Sequence, residues 1–467
     1  MDAADLAFAG LARQAQLIAD GEVSSRELVD VALARIERID PQLNAFRIVF
    51  AERARTEAEQ ADARRGAGAG EAAERPLLGV PIAVKDDMHV AGEITAQGTA
   101  AVVTPSPVDS EIVRRLREAG AIVIGKTNVP ELTMWPFTET ATYGATRNPW
   151  DLDRTPGGSS GGTGAAVAAG LVAAGTASDG LGSIRIPAAC NGLYGLKAQK
   201  GRVPIAPATE DAWHGLVHYG TLTRSVADTA LFLDVVADRP SWGSFSDAAA
   251  SAPGQLRIAL SFKVPPPLMA PLAAEVRAGV EGLADLLRSL GHAVVERDPD
   301  YDAAAVARGL SRYTRGILDD LRAKERPDRL ERRTRAMARL GRLTPASLVA
   351  RSRAEEGAFT QRVSAIFDDV DVVLTPALTS LPLKVGQFEG RGALWTFNGC
   401  GRFVPHLGPW NMTGNPAASI PVGFTPEGVP LAAQLVGRPG DEATLLKLSA
   451  QIEAERPWAD RRPAIAA

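Results

Sequence analysis

Two short glycine-rich segments each contain a serine that could act as a nucleophile or assist one. Residues 154–164 read RTPGGSSGGTG, with Ser159 directly after two glycines, and residues 179–183 read DGLGS, which ends at Ser183. A nucleophilic serine needs a base to take its proton and converging backbone N–H groups to hold the developing oxyanion. Glycine turns allow such convergence, so the turn before Ser183 is a candidate for that role.

A candidate base lies at the end of an apolar run. Residues 80–85 read VPIAVK, which predicts a buried strand that ends at Lys85. Burial would lower the pKa of this lysine and leave a neutral amine that can accept a proton. Asp86 and Asp87 follow directly, and on these residues alone an ordinary ion-paired lysine is the favoured interpretation.

Histidine is the other common base for a serine nucleophile. No histidine lies in a recognisable hydrolase context. A histidine base therefore stays open, with less support than Lys85. The histidines are His89, His214, His218, His292 and His406.

A phosphate-binding loop is the main alternative for the glycine-rich motifs. Residues 120–127, GAIVIGKT, have the spacing of a Walker A loop, but their four intervening residues are apolar and mostly β-branched, which predicts a buried strand. Pro130 also follows too soon for the helix that such a loop begins. No dinucleotide-binding fingerprint follows a clear strand. The sequence thus does not favour nucleotide binding.

The elements that must position these residues alternate between helix and strand patterns, which indicates helices covering a sheet. Ser24 and Glu27 form a capping box for a helix that Pro41 is expected to end. Residues 66–76 have the composition of an exposed loop. Further helices are predicted near 46–65, 109–119, 163–176 and 301–363, strands near 77–85 and 121–124, and a strand, helix, strand order over 255–296.

The bulk composition indicates a soluble globular protein. The 467 residues include 51 Lys plus Arg against 55 Asp plus Glu, and a net charge of −4 gives no field that would attract nucleic acid or an anionic membrane. The N-terminal residues show no secretory signal, and residues 165–176 form too short an apolar stretch to span a bilayer. Two cysteines cannot form a disulfide framework or a zinc cluster, so we expect a cytoplasmic protein.

Several segments together resemble the amidase signature family. The resemblance extends over almost the whole chain and is weakest between about 240 and 360. The glycine-serine block and its distance to the second serine are its most specific part. The matching segments are GVPIAVKDD at 79–87, GKTNVPEL at 125–132, RNPWDLDRTPGGSSGGTGAAVAAGLVAA at 147–174, SDGLGSIRIPAACNGLYGLK at 178–197, GTLTRSVADTALFLD at 220–234, NMTGNPAASIPVGF at 411–424 and LAAQLVGRPGDEATLL at 431–446.

The resemblance implies an α/β protein with the amidase signature fold, in which helices cover both faces of a large, twisted, mixed β-sheet. It implies one amidase domain over residues 1–467, with a helical N-terminal flank at about 1–70 and a variable, mostly helical insertion at about 240–360. It also implies a Ser-Ser-Lys triad. By match to the family motif, Ser183 is the expected nucleophile, Lys85 the general base, and Ser159 the serine that relays the proton between them.

The resemblance also assigns roles around the nucleophile. The peptide before the bridging serine is cis in this family, which Gly158 accommodates, and the oxyanion hole falls on the backbone N–H groups of Gly180, Leu181, Gly182 and Ser183. Asp179 and Arg185 flank that turn. They are expected to support it by hydrogen bonds, with an ordinary surface ion pair as the alternative.

One residue departs from the family pattern. Many members have glycine where this chain has Leu181, and a leucine would be strained there if the turn required a positive φ. Its side chain would also narrow the pocket beside the nucleophile. Aromatic residues in variable segments, at about 134–143, 213–219, 301–360 and 395–410, suggest an apolar or aryl group in the substrate. The substrate-binding candidates are Trp135, Phe137, Trp213, Tyr219 and Trp410.

The function that the resemblance implies is hydrolysis of the carbon–nitrogen bond of a small-molecule amide through an acyl-enzyme, with aryl amides, esters or carbamates as further substrates. It implies no metal or organic cofactor, and a homodimer is a family-level expectation. Two alternatives stay open: the amidase-type subunit of a glutamine-dependent amidotransferase, which acts with partner chains, and a non-catalytic binding protein that retains the fold.

Overall fold

The computed structural model describes residues 1–66, 74–207 and 212–466, so most of the predicted loop at 66–76 lies outside the described residues. The helices are α1 Ala3–Phe8, α2 Leu11–Ala19, α3 Ser25–Leu43, α4 Ala51–Gly66, α5 Glu111–Glu118, α6 Gly161–Ala168, α7 Arg185–Asn191, α8 Val226–Val236, α9 Phe245–Ala249, α10 Ala274–Ser289, α11 Ala305–Arg322, α12 Arg332–Arg342, α13 Ala346–Ala354, α14 Glu356–Ser364, α15 Ala393–Phe403, α16 Pro409–Met412 and α17 Glu442–Glu455. Short 3₁₀ turns include Glu131–Thr133 and Ala212–His214.

The strands are β1 Phe46–Val49, β2 Pro81–Lys85, β3 Ile122–Thr127, β4 Glu139–Thr140, β5 Gly144–Ala145, β6 Ala174–Asp179, β7 Gly195–Lys197, β8 His218–Thr223, β9 Arg257–Leu260, β10 Ala293–Glu296, β11 Val372–Pro376, β12 Ala417–Phe424 and β13 Pro430–Gly437. A five-stranded sheet has the order β1-β3-β2-β6-β8, and a six-stranded sheet has the order β10-β9-β11-β13-β12-β7. Both contain parallel and antiparallel pairs.

A pair of backbone hydrogen bonds joins the two sheets. Tyr194, the residue before β7, donates to the carbonyl of Thr223 at the end of β8 at 3.0 Å and accepts from its N–H at 3.3 Å. The two sheets are therefore continuous, as the expected large mixed sheet requires.

Alternation along the strands gives the sheet two apolar faces, and helices cover both. In β2, Ile82 and Val84 pack in one core cluster with residues of α2, α5, α8, α10 and α17, whereas Ala83 packs in another with α3, α4 and α6. Successive side chains of a strand point to opposite faces, so both faces of β2 are covered. In β11, Val373 belongs to a third cluster that includes residues of α11, α12, α15 and α16.

The N-terminal predictions are partly wrong. Ser24 accepts a hydrogen bond from the N–H of Glu27, so the predicted cap is present. Pro41 lies inside α3, which ends at a left-handed Asn44 instead. The helix predicted near 46–65 begins only at Ala51, because Phe46–Val49 forms β1 and pairs with β3. Pairing with β3 overrides the local helical pattern, and the expected helical flank thus contributes a strand to the sheet.

The segment at about 240–360 contains strands as well as helices. Its strand, helix, strand order is confirmed as β9, α10 and β10, and β9 lies between β10 and β11 in the six-stranded sheet. The charged helices predicted over 301–363 are α11 to α14. The Walker-like segment is the buried strand β3, as its apolar residues predict. Within the described ranges, every helix is too short or too polar to cross a bilayer.

Candidate active site

Adjacent strand ends bring the candidate residues together. Strands β2 and β6 are parallel neighbours, so their carboxyl ends, at Lys85 and Asp179, meet at the same edge of the sheet. The backbone N–H of Lys85 donates to Thr176 Oγ1 at 2.8 Å, which fixes the lysine against β6. The glycine-serine segment precedes α6 and brings Ser159 to the same place.

Lys85 and Ser159 form a direct hydrogen bond inside the protein. The distance from Lys85 Nζ to Ser159 Oγ is 2.8 Å, and both side chains are buried. The Gly158–Ser159 peptide is cis. A β-carbon at residue 158 would lie 2.5 Å from the carbonyl oxygen of Trp135 and 2.6 Å from the nitrogen of Phe137. Only glycine fits that close approach, so Gly158 lets the serine loop pack against the chain beside it.

Two further residues hold the lysine, and the sequence interpretation missed one of them. Lys85 Nζ lies 2.6 Å from Ser178 Oγ, and Ser178 Oγ donates to Asp87 Oδ2 at 2.5 Å. Asp87 Oδ2 is also 3.2 Å from Nζ. The sequence signal that could have found Ser178 is its spacing of two residues from Thr176, because residues two apart on a strand share a face. In the structure both of these polar side chains face Lys85.

The environment of Lys85 favours its neutral form. Its side chain is fully buried, and this desolvation lowers its pKa below the ordinary 10.5, although Asp87 and more distant Asp179 oppose the shift. Burial is the largest cause because the ammonium loses its water and only one carboxylate is close. Asp86 plays no part in this contact, since it pairs with Arg47 at 2.8 Å and Lys126 at 3.0 Å.

Asp179 and Arg185 form a buried ion pair, so the alternative of a surface ion pair is wrong. Two hydrogen bonds of 2.9 and 3.0 Å join them, and neither side chain is exposed to solvent. The carboxylate also accepts from the N–H groups of Gly182 at 2.5 Å and Ile184 at 3.2 Å. Although burial alone would raise its pKa, Arg185 holds the pKa of Asp179 below its usual range. The pair therefore fixes the turn that carries Ser183.

Two amide side chains, both missed by the sequence interpretation, extend this buried network. Arg185 donates to Asn411 Oδ1 and to Gln434 Oε1, each at 2.6 Å. Asn411 Nδ2 in turn donates to the backbone carbonyl of Asp179 at 2.8 Å. Asn411 lies on α16, more than two hundred residues from the turn, and no local pattern could have paired them.

One of the four backbone N–H groups predicted to form an oxyanion hole is already engaged within the turn. The N–H of Gly182 is engaged by Asp179, whereas the N–H groups of Gly180, Leu181 and Ser183 enter none of the turn and loop hydrogen bonds of the described chain. The positive φ of the turn, 126°, also falls on Gly182. Leu181 is not among the described residues with positive φ, so the expected strain does not arise and its side chain lies on a cavity wall.

Ser183 lies at the edge of that cavity. Its Oγ enters no hydrogen bond with another described residue, including Ser159. Its carbonyl accepts from Ser160 Oγ at 2.6 Å, which connects the two serine-bearing loops. The structure thus places Ser159 on the lysine and Ser183 on the cavity, with the Ser183 hydroxyl unconstrained between them.

The aromatic candidates divide into two groups. Trp135 and Trp213 line the cavity beside Ser183, as expected. Phe137, Tyr219 and Trp410 do not, and the prediction for them is wrong: all three are buried in core clusters.

Their burial follows from long-range packing. Phe137 stacks on Trp135 with ring centroids 5.9 Å apart, and Trp410 packs edge-on against Tyr301. The cavity wall instead contains Tyr313 and Phe397, which were not among the candidates. All four predicted variable segments nevertheless contribute to the wall. Among the described residues, no cluster of three His, Cys, Asp or Glu side chains could hold a metal ion.

Comparison with known proteins identifies relatives of the chain. The Amidase family profile matches residues 27–446. A Mycobacterium tuberculosis protein named "Putative amidase AmiB2" is 53% identical over 467 residues, which is 100% of both chains. The 6-aminohexanoate-cyclic-dimer hydrolase of Paenarthrobacter ureafaciens is 32% identical over 487 residues, covering 96% of this chain and 95% of that protein. A solved 6-aminohexanoate cyclic dimer hydrolase complexed with substrate matches with a TM-score of 0.88 and 30% identity, covering 99% of this chain and 100% of that one.

These matches confirm the fold and the class of protein. The mixed sheet with helices on both faces is shared with solved amidase signature enzymes. The relatives are named as a putative amidase and a cyclic-dimer hydrolase, which favours an enzyme over the alternative of a non-catalytic binding protein. The chain therefore belongs to the amidase signature family and is an amidase.

Proposed function

We propose that the protein hydrolyses the carbon–nitrogen bond of an amide through a Ser-Ser-Lys triad and an acyl-enzyme. The observation that carries this proposal is the fully buried Lys85, with a lowered pKa and its Nζ 2.8 Å from Ser159 Oγ. A neutral amine in that position can accept a proton, which the ammonium of an ordinary surface lysine cannot.

The proposed reaction begins with two linked proton transfers. Neutral Lys85 takes the proton of Ser159 as Ser159 takes that of Ser183, and Ser183 Oγ attacks the carbonyl carbon. Ser183 Oγ forms no hydrogen bond with the described residues. It can therefore turn towards Ser159 without breaking one. The amine leaves with the returned proton, and water then hydrolyses the acyl-enzyme through the same relay.

The negative charge of the tetrahedral intermediate needs converging donors. We assign this role to the N–H groups of Gly180, Leu181 and Ser183, since Asp179 already accepts the N–H of Gly182. The buried Asp179–Arg185 pair holds the turn, so these donors need little reorganisation when charge develops. Asp87 has a complementary role, because its carboxylate stabilises the ammonium that Lys85 becomes after taking the proton.

A covalent probe tests the proposed nucleophile. A fluorophosphonate should add one label to the native protein by intact mass, and peptide mapping should place that label on Ser183. A label on another residue, or no label under conditions in which the enzyme turns over, would contradict the assignment.

We expect an Asp87→Asn variant to shift the rising limb of its pH profile to lower pH. Asp87 Oδ2 lies 3.2 Å from Lys85 Nζ and raises the pKa of the lysine, so removing the charge lowers that pKa. The neutral base then forms at lower pH, and the limb of kcat/KM moves with it. A limb that stays in place or moves to higher pH would show that another group titrates.

The amidotransferase alternative predicts dependence on partner chains. The purified chain is expected to hydrolyse amides alone. A chain that is inactive on every simple amide and gains activity only with partner subunits would favour the alternative. Aryl amides, esters and carbamates are the further substrates to include, together with the cyclic amide that the name of the Paenarthrobacter ureafaciens relative describes.

A further inference from the structure

The cavity beside Ser183 has an uncharged wall. None of the described residues that line it is Asp, Glu, Lys, Arg, His, Asn or Gln. The polar side-chain groups of the wall are hydroxyls, indole nitrogens and the thiol of Cys400, and burial raises the pKa of that thiol, so it stays neutral. An ionised group that entered this cavity would find no charged side chain to replace its water.

Two aromatic side chains of the wall have their polar atoms bonded elsewhere, whereas the buried Trp135 Nε1 has no hydrogen-bond partner among the described residues. Tyr313 donates its hydroxyl to the carbonyl of Met134 at 2.7 Å, and Trp213 donates Nε1 to Asp320 at 2.8 Å. The two rings meet edge to face with centroids 5.1 Å apart, and Phe397 lies 5.8 Å beyond Tyr313. The three rings therefore offer a substrate apolar contact rather than hydrogen bonds.

We infer that the cavity binds an uncharged apolar group, aryl or medium-length alkyl, attached on one side of the scissile amide. This inference rests on the proposed function for the position of the reacting carbonyl at Ser183. It excludes substrates whose corresponding group is ionised. If the cavity takes the acyl side of the amide, it excludes free glutamine, whose ionised groups lie on that side, and so disfavours the amidotransferase alternative.

Two glycines and Leu181 determine how large that group can be. Gly401, on α15, lines the cavity, and a β-carbon there would meet no atom within 4 Å. A β-carbon on Gly408, whose φ is −55°, would touch only Leu181 Cδ2, at 3.5 Å. Larger side chains at these positions are therefore stereochemically allowed and would reduce the space open to a substrate. Leu181 already fills space beside the nucleophile that glycine would leave empty.

The test compares substrates that differ only in the size or charge of one group. One series contains p-nitroanilides of acetic, butanoic, hexanoic and octanoic acid, and a second contains acetamides of methylamine, butylamine, hexylamine and benzylamine. In one of the two series kcat/KM should rise by up to about fourfold per added methylene until the cavity is full. In the series that rises, an analogue of hexyl length that ends in a carboxylate should react at least about 100-fold more slowly than its uncharged counterpart.

A cavity-filling variant supplies the structural half of the test. The quantity to compare is kcat/KM for the hexyl substrate divided by kcat/KM for the smallest substrate. Gly401→Leu should lower this ratio at least about tenfold. Gly357→Leu is the matched control, because Gly357 is exposed on α14 and a β-carbon there also meets no atom within 4 Å. That control should leave the ratio unchanged.

The outcomes separate this inference from the proposed function. Flat rates in both series, equal rates for the charged analogue, or an unchanged ratio in Gly401→Leu would each overturn the inference, even if Ser183 takes the covalent label. If Ser183 takes no label, the proposed function fails. Calorimetric binding of uncharged hexanoic anilide to the Ser183→Ala protein, weakened by Gly401→Leu, would still support the cavity assignment, and absence of binding would overturn it.

Discussion

A Ser183→Ala variant is expected to lose amide hydrolysis by a factor on the order of 10⁴ or more, because it removes the atom that forms the acyl bond. The remaining rate would come from binding and from the oxyanion donors, which the substitution leaves in place. Initial rates with a p-nitroanilide measure the loss.

The fold should survive this substitution. The side chain of Ser183 forms no hydrogen bond with the described residues. The carbonyl of Ser183 that accepts from Ser160 Oγ is a backbone group, which the substitution keeps. Thermal unfolding and circular dichroism should therefore match those of the native protein, and fluorophosphonate labelling should disappear. A Ser183→Ala protein that still takes the label and turns over at the native rate would disprove the assignment of the nucleophile.

A Lys85→Met variant is expected to lose about 10²- to 10⁴-fold in kcat/KM, since it removes the general base while keeping an apolar side chain of similar length. The native profile should rise with pH, because only the neutral amine accepts a proton. The rise should occur at lower pH than the ordinary lysine pKa of 10.5 would give, since burial lowers the pKa of Lys85. In Lys85→Met that limb should vanish, which a pH series of kcat/KM measures.

Lys126 offers a matched control on the neighbouring strand. Like Lys85 it is buried near the end of its strand, but it pairs with Asp86 at 3.0 Å and bonds to no candidate serine. Lys126→Met should lower thermal stability and leave the pH limb in place. Lys85→Arg should be as inactive as Lys85→Met, because the guanidinium stays protonated. A limb that persists in Lys85→Met would return Lys85 to the role of an ordinary ion-paired lysine.

Much of the candidate site could be predicted because its signals are local. The apolar run before Lys85 indicates a buried strand, and the glycines around Ser159 and Ser183 indicate close-packed turns. The family resemblance adds which of these residues belong together. The errors occur where local pattern and long-range packing disagree: Phe46–Val49 forms a strand because β3 offers an edge, and Pro41 is accommodated within the last turn of α3.

The sequence by itself determined which lysine and serine side chains could do the chemistry and which strand end and turns carry them. It could do so because residue type and spacing along the chain encode strand ends and tight turns. Tertiary structure alone decided that Ser178 joins Lys85 to Asp87, and that Asp179 uses the N–H of Gly182. It also decided which aromatic rings face the cavity. These contacts depend on the relative placement of strands and helices distant in the chain, and no local pattern specifies a distance between them.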